Sequence, residues 1–163
     1  MNESFLSVVI PTFNEQNRIV QTLDQLLFYF SSKDYSWEIV VSDDGSTDLT
    51  VKLIEEWAQK YSNIHIVLLP HKGKGWAVKN GMLQSSGKYR LMFDADMAMH
   101  PNEIDKFLDR IQNDCDVVIG SRNLKGSFKK NEPFLRKVMG RVFNLFVKIF
   151  AVKGYFDTQC GYK

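Results

Sequence analysis

The sequence predicts an α/β fold: an open, mostly parallel, twisted sheet with helices on its faces. Three observations predict it. Five short apolar runs recur, at residues 5–10, 37–41, 64–68, 89–93 and 116–120. Segments with apolar residues at helical spacing separate them. Each run ends on a polar or charged cluster. Near-continuous apolar runs are the pattern of strands covered on both faces. Alternation with helices makes βαβ units with right-handed crossovers. A length of 163 residues corresponds to about one domain and allows burial of roughly 70% of the unfolded surface.

Taken in order, run 5–10 is a buried strand closed by Pro11, and Ile19, Leu23, Leu26, Leu27 and Phe30 then follow helical spacing. Run 37–41 is the second strand. Ser46, Thr47 and Asp48 offer N-cap chemistry to a helix carrying Val51, Leu53, Ile54 and Trp57. Runs 64–68 and 89–93 are the third and fourth strands, with helices expected over 76–83 and 104–111, and run 116–120 is the fifth. No internal repeat or low-complexity linker interrupts the series.

Composition excludes several classes. Hydrophobic residues make up 44% and charged residues 25%, which is globular and not disordered. Cys115 and Cys160 do not make a disulfide framework, and the compartment reads as reducing. Residues 1–4 lack the basic n-region of a secretory leader, and no apolar run reaches the about 18 residues of a membrane span. His65 and His100 read as structural, without partners at zinc-site spacing. The formal charge of +2 conceals an asymmetry. Residues 123–153 carry eight Lys/Arg and one acid, a net +7 that leaves −5 on the rest. Within this stretch, residues 133–152 read as a helix opening at Pro133. Leu135, Val138, Met139, Val142, Phe143, Phe146, Ile149 and Phe150 share one stripe, opposite Lys137, Arg141 and Lys148. A wide apolar face opposite cations is the pattern of a helix in a membrane interface, and equally of a core helix with a solvated basic face. The aromatics do not interleave with the cations as a stacking platform for nucleic acid would, so no nucleic-acid partner is expected.

In open α/β sheets, ligands bind at the carboxyl ends of the strands, and the five polar clusters lie there. Asp94-Ala95-Asp96 sets two carboxylates around a small residue. In extended chain, i and i+2 point the same way, and a hard divalent cation that also takes phosphate oxygens neutralises such a pair. A solvated turn uses the same residues. Asp43-Asp44-Gly45-Ser46 reads as an Asp-Gly turn, or as an acceptor of hydrogen bonds from a base or ribose through Asp43. His71-Lys72-Gly73-Lys74-Gly75 places cations and glycines before a helix, suited to an anion, though not at Walker spacing.

These clusters, in this order, together with Pro11-Thr12-Phe13-Asn14-Glu15 and Gly120-Ser121-Arg122, resemble the successive motifs of the family 2 glycosyltransferases with the GT-A (Rossmann-like) fold. The ending 157–163 resembles their polyprenyl-phosphate branch, above all the dolichyl-phosphate glucosyltransferases. The resemblance implies an inverting transfer of a hexose from a nucleotide-sugar to dolichyl or undecaprenyl phosphate. It implies that Pro11, Phe13, Glu15, Asp43 and Asp44 hold the nucleoside. Gly73 and Lys74 would lie near base and diphosphate, Asp94 near ribose and metal, and Asp96 would be the main Mg²⁺ or Mn²⁺ ligand. Arg122 and Arg136 would bind the acceptor phosphate. Some mannose-transferring relatives carry a further ligand, Gln, where this chain has Ala98. That favours UDP-glucose over GDP-mannose. Residues 1–122 would form the nucleotide-sugar core and 123–163 an acceptor-side segment of the same domain. Helix 133–152 would rest on the cytoplasmic side of a membrane, and the relatives would continue beyond Lys163. Transfer to a saccharide acceptor and a non-catalytic nucleotide- or membrane-binding role are the alternatives.

Overall fold

A computed structural model of the protein describes residues 4–111 and 115–120. Four strands, β1 (Leu6–Thr12), β2 (Trp37–Asp43), β3 (Ile64–Leu68) and β4 (Tyr89–Met92), form one parallel sheet in the order β3-β2-β1-β4. Helices α1 (Ile19–Phe30), α2 (Thr50–Lys60) and α3 (Lys74–Gln84) make the crossovers, and α4 (Ile104–Ile111) follows a short 3₁₀ turn at Pro101–Glu103. The strand order reverses at β1, which pairs with β2 on one side and β4 on the other. Such a switch point opens a crevice at the carboxyl ends.

Pleat alternation sorts the apolar runs between two layers. Leu6, Val8 and Ile10 join Ile39, Val41, Leu91 and the apolar stripes of α1 and α4 in one core, with Leu23, Phe30 and Ile104 fully buried. Each such side chain contributes about 1.5–3 kcal/mol by leaving water. Val9, Val40 and Val67 face the other way and pack with Met82 of α3. Gly81 lets α3 sit close to the sheet: a Cβ there would lie 2.5 Å from Val9 Cγ1. Ser42 Oγ donates to Ala77 O at 2.8 Å and fixes the helix against β2.

Strand β1 runs through Pro11 to Thr12, because the Asp44 N–H donates to Thr12 O at 2.9 Å and prolongs the pairing. Helix α2 begins at Thr50, and its N-cap position, Leu49, makes no side-chain cap. Of the expected capping groups, Ser46 is spent elsewhere, while Asp48 sits one position earlier and accepts from the first helical N–H, that of Thr50, at 2.9 Å. Ser46 Oγ donates to Asp43 Oδ2 and accepts from Asn14 N–H, while Asp48 binds Thr50 and Gln16 N–H. The expected fifth strand is not formed: residues 115–120 join no ladder, and Val117 is 72% exposed. Its apolar run supplies side chains suited to a sheet, but a strand also needs backbone partners in register. Residues 116–118 instead line an apolar cavity of about 200 Å³ with Leu6, Tyr89 and Ile104. Among the described residues, no helix is long and apolar enough to cross a membrane. The basic helix expected over 133–152 lies outside the described residues, as do Arg122 and Arg136.

At the amino ends of the strands a buried polar network ties the sheet together. Ser7 Oγ donates to Glu38 Oε1 at 2.5 Å, Ser86 N–H to the same oxygen at 2.6 Å, and Gly87 N–H to Ser7 Oγ at 2.8 Å.

Candidate functional site

The opposite, carboxyl edge of the sheet carries a cleft of about 310 Å³ lined by Pro11, Thr12, Phe13, Glu15, Arg18, Asp44, His71, Gly73, Lys74, Ala77, Asp94, Ala95 and Asp96. Four of the five polar clusters therefore meet at one place. Each is set there by an identifiable local cause.

The loop after β1 turns at Asn14, which adopts φ +55°, a left-handed conformation that Asn tolerates. Its N–H donates to Ser46 Oγ at 2.8 Å and its Oδ1 accepts from Thr47 N–H at 2.9 Å, locking this loop to the one after β2. Glu15 N–H donates to Thr50 Oγ1, and the Glu15 carboxylate pairs with Arg18 at 3.1 Å.

Asp43 does not line the cleft. It is buried, and its carboxylate accepts four hydrogen bonds. Oδ1 takes Gly45 N–H (3.1 Å) and Ser46 N–H (2.8 Å); Oδ2 takes Thr12 Oγ1 (3.0 Å) and Ser46 Oγ (2.6 Å). A carboxylate offers about four lone-pair positions, so all of them are used within the loop. Asp44, also buried, reaches across to the loop before α3. It accepts from Lys72 N–H at 2.9 Å and Gly73 N–H at 2.7 Å, and His71 Nδ1 lies 2.8 Å from its Oδ2. Burial pushes the Asp44 carboxyl up, but the two backbone donors and His71 together outweigh it and hold it below the usual carboxylate range. Gly73 meets this anchor with φ +99°, a backbone conformation that glycine adopts at no steric cost. Lys72 Nζ lies over the Trp76 ring, 4.6 Å from its centroid. Of the two lysines in this loop, Lys74, the first residue of α3, lines the cleft, and its Nζ is 2.6 Å from Asp94 Oδ1.

The segment after β4 departs from the extended geometry expected of it. The ladder ends at Met92 and the chain turns over 94–97, with Met97 at φ +54°. Ala95 is buried, and its carbonyl accepts from Thr22 Oγ1 of α1 at 2.8 Å. With the middle residue pinned to the core, both flanking carboxylates still line the cleft. Asp96 Oδ1 accepts from Ala98 N–H at 3.0 Å.

Four carboxylates and two permanent cations line the cleft, which leaves it acid-rich. No cluster of three or more His, Cys, Asp or Glu able to hold a metal occurs among the described residues. Asp94 and Asp96 fit an ion that takes one or two carboxylates and completes its shell with substrate phosphates and water. Sequence reasoning missed Arg18 and did not single out His71. The i,i+3 spacing of Glu15 and Arg18 is a sequence signal for the first. Nothing local in the sequence signals that His71 meets Phe13.

The chain matches the family described as Glycosyl transferase family 2 over residues 7–161. It belongs to that family. It is 39% identical to a dolichyl-phosphate beta-glucosyltransferase of Dictyostelium discoideum, covering 98% of this chain and 53% of that protein. It is 36% identical to a protein of the same name from Saccharomyces cerevisiae, covering 99% and 54%. The chain thus spans about half the length of these relatives. Among solved structures, it resembles glucosyl-3-phosphoglycerate synthase from Mycobacterium tuberculosis in complex with Mn²⁺, UDP and glucosyl-3-phosphoglycerate. The TM-score is 0.52 and the identity 27%, over 66% of this chain and 39% of that one. The expected GT-A architecture and the polyprenyl-phosphate branch agree with these likenesses.

Proposed function

We propose that this glycosyltransferase chain binds UDP-glucose in the switch-point cleft and serves transfer of glucose to a polyprenyl phosphate of the dolichyl type, with Mg²⁺ or Mn²⁺. The observation that carries this is the convergence of Lys74, Asp94 and Asp96 with the loops after β1 and β2 at the carboxyl edge. The names of the relatives support the acceptor, and the Mn²⁺ and UDP in the M. tuberculosis structure support metal and donor.

In this reading, Pro11, Phe13 and Glu15 bound the nucleoside. Asp43 and Asp44 hold the loops that present them, because their carboxylates are spent on loop donors. Gly73 keeps the backbone before α3 open to the donor, and Lys74 turns its ammonium to the diphosphate. Asp94 and Asp96 hold the divalent ion, which supplies charge neutralisation on the departing diphosphate. The acceptor is a phosphate monoester, anionic at neutral pH because its second pKa is near 6. Its oxygen attacks the anomeric carbon directly as the bond to UDP breaks, with inversion. Such an acceptor requires positioning more than a general base. Arg122 and Arg136 are assigned to the acceptor phosphate by the family resemblance, and the amphipathic stretch 133–152 to the lipid surface by its sequence pattern. A lipid acceptor puts the reaction at a membrane, on its cytoplasmic side. Ala98 in place of Gln favours UDP-glucose over GDP-mannose.

The test is incubation of the full-length protein with labelled UDP-glucose, Mn²⁺ and dolichyl phosphate, with GDP-mannose and free saccharides in parallel. Label in the lipid extract that depends on Asp96, lost in Asp96→Asn, is the expected result. Label on the saccharides alone favours a sugar acceptor, and no label from any donor overturns the reading.

A further inference from the structure

Phe13 and His71 come from different crossings of the chain, yet their rings stack with centroids 4.2 Å apart and planes 23° from parallel. His71 is held from a second side. Its Nδ1 lies 2.8 Å from Asp44 Oδ2 and 3.0 Å from Asp44 O. Both partners only accept, so Nδ1 carries a proton in either charge state of the ring. Asp44 is in turn fixed by the Lys72 and Gly73 N–H groups. The ring of Phe13 is therefore braced through His71 by the loop before α3.

Both rings line the cleft, and both stay open to solvent: Phe13 is 43% exposed and the His71 side chain 58%. Each ring spends one face on the other and presents its second face or its edge outward. The ligand class that gains most from such a pair is another planar ring. Lys74, Asp94 and Asp96 lie on other loops of the same cleft and address charge. An aromatic wall and a charged group suit the two ends of a nucleoside diphosphate.

We propose that His71 is a positioning residue for the donor's base, acting through Phe13, whose ring it holds as a stacking platform. The proposal rests on the reading of the cleft as a nucleotide-sugar site. Calorimetric titration of the full-length protein with UDP and with inorganic pyrophosphate, each with Mn²⁺, tests it, because pyrophosphate has no base. His71→Ala is expected to weaken UDP binding about 2- to 10-fold and to leave pyrophosphate binding unchanged. In turnover it raises the donor KM with kcat unchanged. His71→Asn keeps a donor for Asp44 but removes the ring, and is expected to match His71→Ala. Equal weakening of both ligands or full recovery in His71→Asn would overturn the proposal in favour of loop anchoring, and unchanged UDP affinity in His71→Ala would overturn it outright. A wild-type protein that binds pyrophosphate but no nucleotide overturns the nucleotide reading itself, and the proposal with it.

Discussion

Lys74 Nζ lies 2.6 Å from Asp94 Oδ1 and so joins the first turn of α3 to the loop after β4 across the mouth of the cleft. The Lys74 side chain is 57% exposed, and an ion pair this open adds at most about 1 kcal/mol to folding. The pairing therefore matters for what the cleft binds more than for stability.

Lys74→Ala separates the two roles. The variant should keep its thermal midpoint, with kcat/KM for the sugar nucleotide lower by on the order of 10²-fold, the cost of removing a charge aimed at developing negative charge. Steady-state kinetics beside a thermal melt reads both. A lower midpoint with unchanged kinetics makes the pair structural.

The proposed role of Asp94 and Asp96 in holding a divalent ion predicts metal dependence. Chelation should abolish turnover, and Mn²⁺ or Mg²⁺ should restore it. Bound Mn²⁺, followed by electron paramagnetic resonance in the presence of UDP, should be lost in Asp96→Asn and retained in Glu103→Gln, a carboxylate paired with Lys106 on the surface. Equal Mn²⁺ binding by both variants removes Asp96 from the metal site.

Two glycines around α3 predict different costs. Gly81→Ala drives a methyl to 2.5 Å from Val9 Cγ1 and 3.1 Å from Ser42 Cβ, and should destabilise by about 1–3 kcal/mol through overpacking. A Cβ on Gly73 meets nothing within 4 Å, so Gly73→Ala costs backbone strain at φ +99° and ψ 162°, a region essentially confined to glycine, about 1–3 kcal/mol. It should also loosen the Asp44 anchor and raise the donor KM, which Gly81→Ala reaches only through stability. Urea unfolding with donor kinetics separates them.

The amino edge of the sheet should contribute to acid sensitivity alongside Asp44 at the opposite edge. Burial pushes the Glu38 carboxyl up, but hydrogen bonds from Ser7 and Ser86 and the neighbouring His65 together outweigh it and hold the carboxyl below the usual range. A carboxylate with a lowered folded-state pKa stabilises the native state fully above the unfolded value near about 4.3. That stability is lost as the pH falls through the folded value. Glu38→Gln should cost about 1–3 kcal/mol at neutral pH and flatten the loss of stability below about pH 4. Denaturant melts across that range check it, and an unchanged acid slope assigns acid unfolding to other groups.

Four strands and the edge that carries the site were legible because buried parallel strands need apolar runs and their ends cannot avoid polar residues. Ile64–Leu68 coincides with its apolar run, whereas Leu6–Thr12 runs past the expected end at Pro11 because Asp44 N–H pairs with Thr12 O. The use of each polar residue was less legible. Asp43 and Asp44 are adjacent in sequence, yet one closes its own loop and the other anchors a loop 28 residues away at Lys72. Only the tertiary path decides that. Ser46 has N-cap chemistry but is drawn off by Asn14 and Asp43, whereas Asp48 accepts from Thr50 N–H at the start of α2 as well as from Gln16 N–H. The left-handed turn at Met97, a residue type that disfavours positive φ, lies two residues after Ala95, whose carbonyl is held by Thr22, and no local signal in the sequence marks it. The run at 116–120 has strand composition but no ladder partner among the described residues.

Amide chemical-shift mapping with UDP-glucose and Mg²⁺ tests the central claim most directly. The account predicts saturable shifts at Phe13, Gly73, Lys74 and Ala95 around the cleft, with Ser7, Gly87 and Tyr89 at the opposite edge unmoved. Shifts confined to the opposite edge, or none around the cleft at saturating donor, would contradict it.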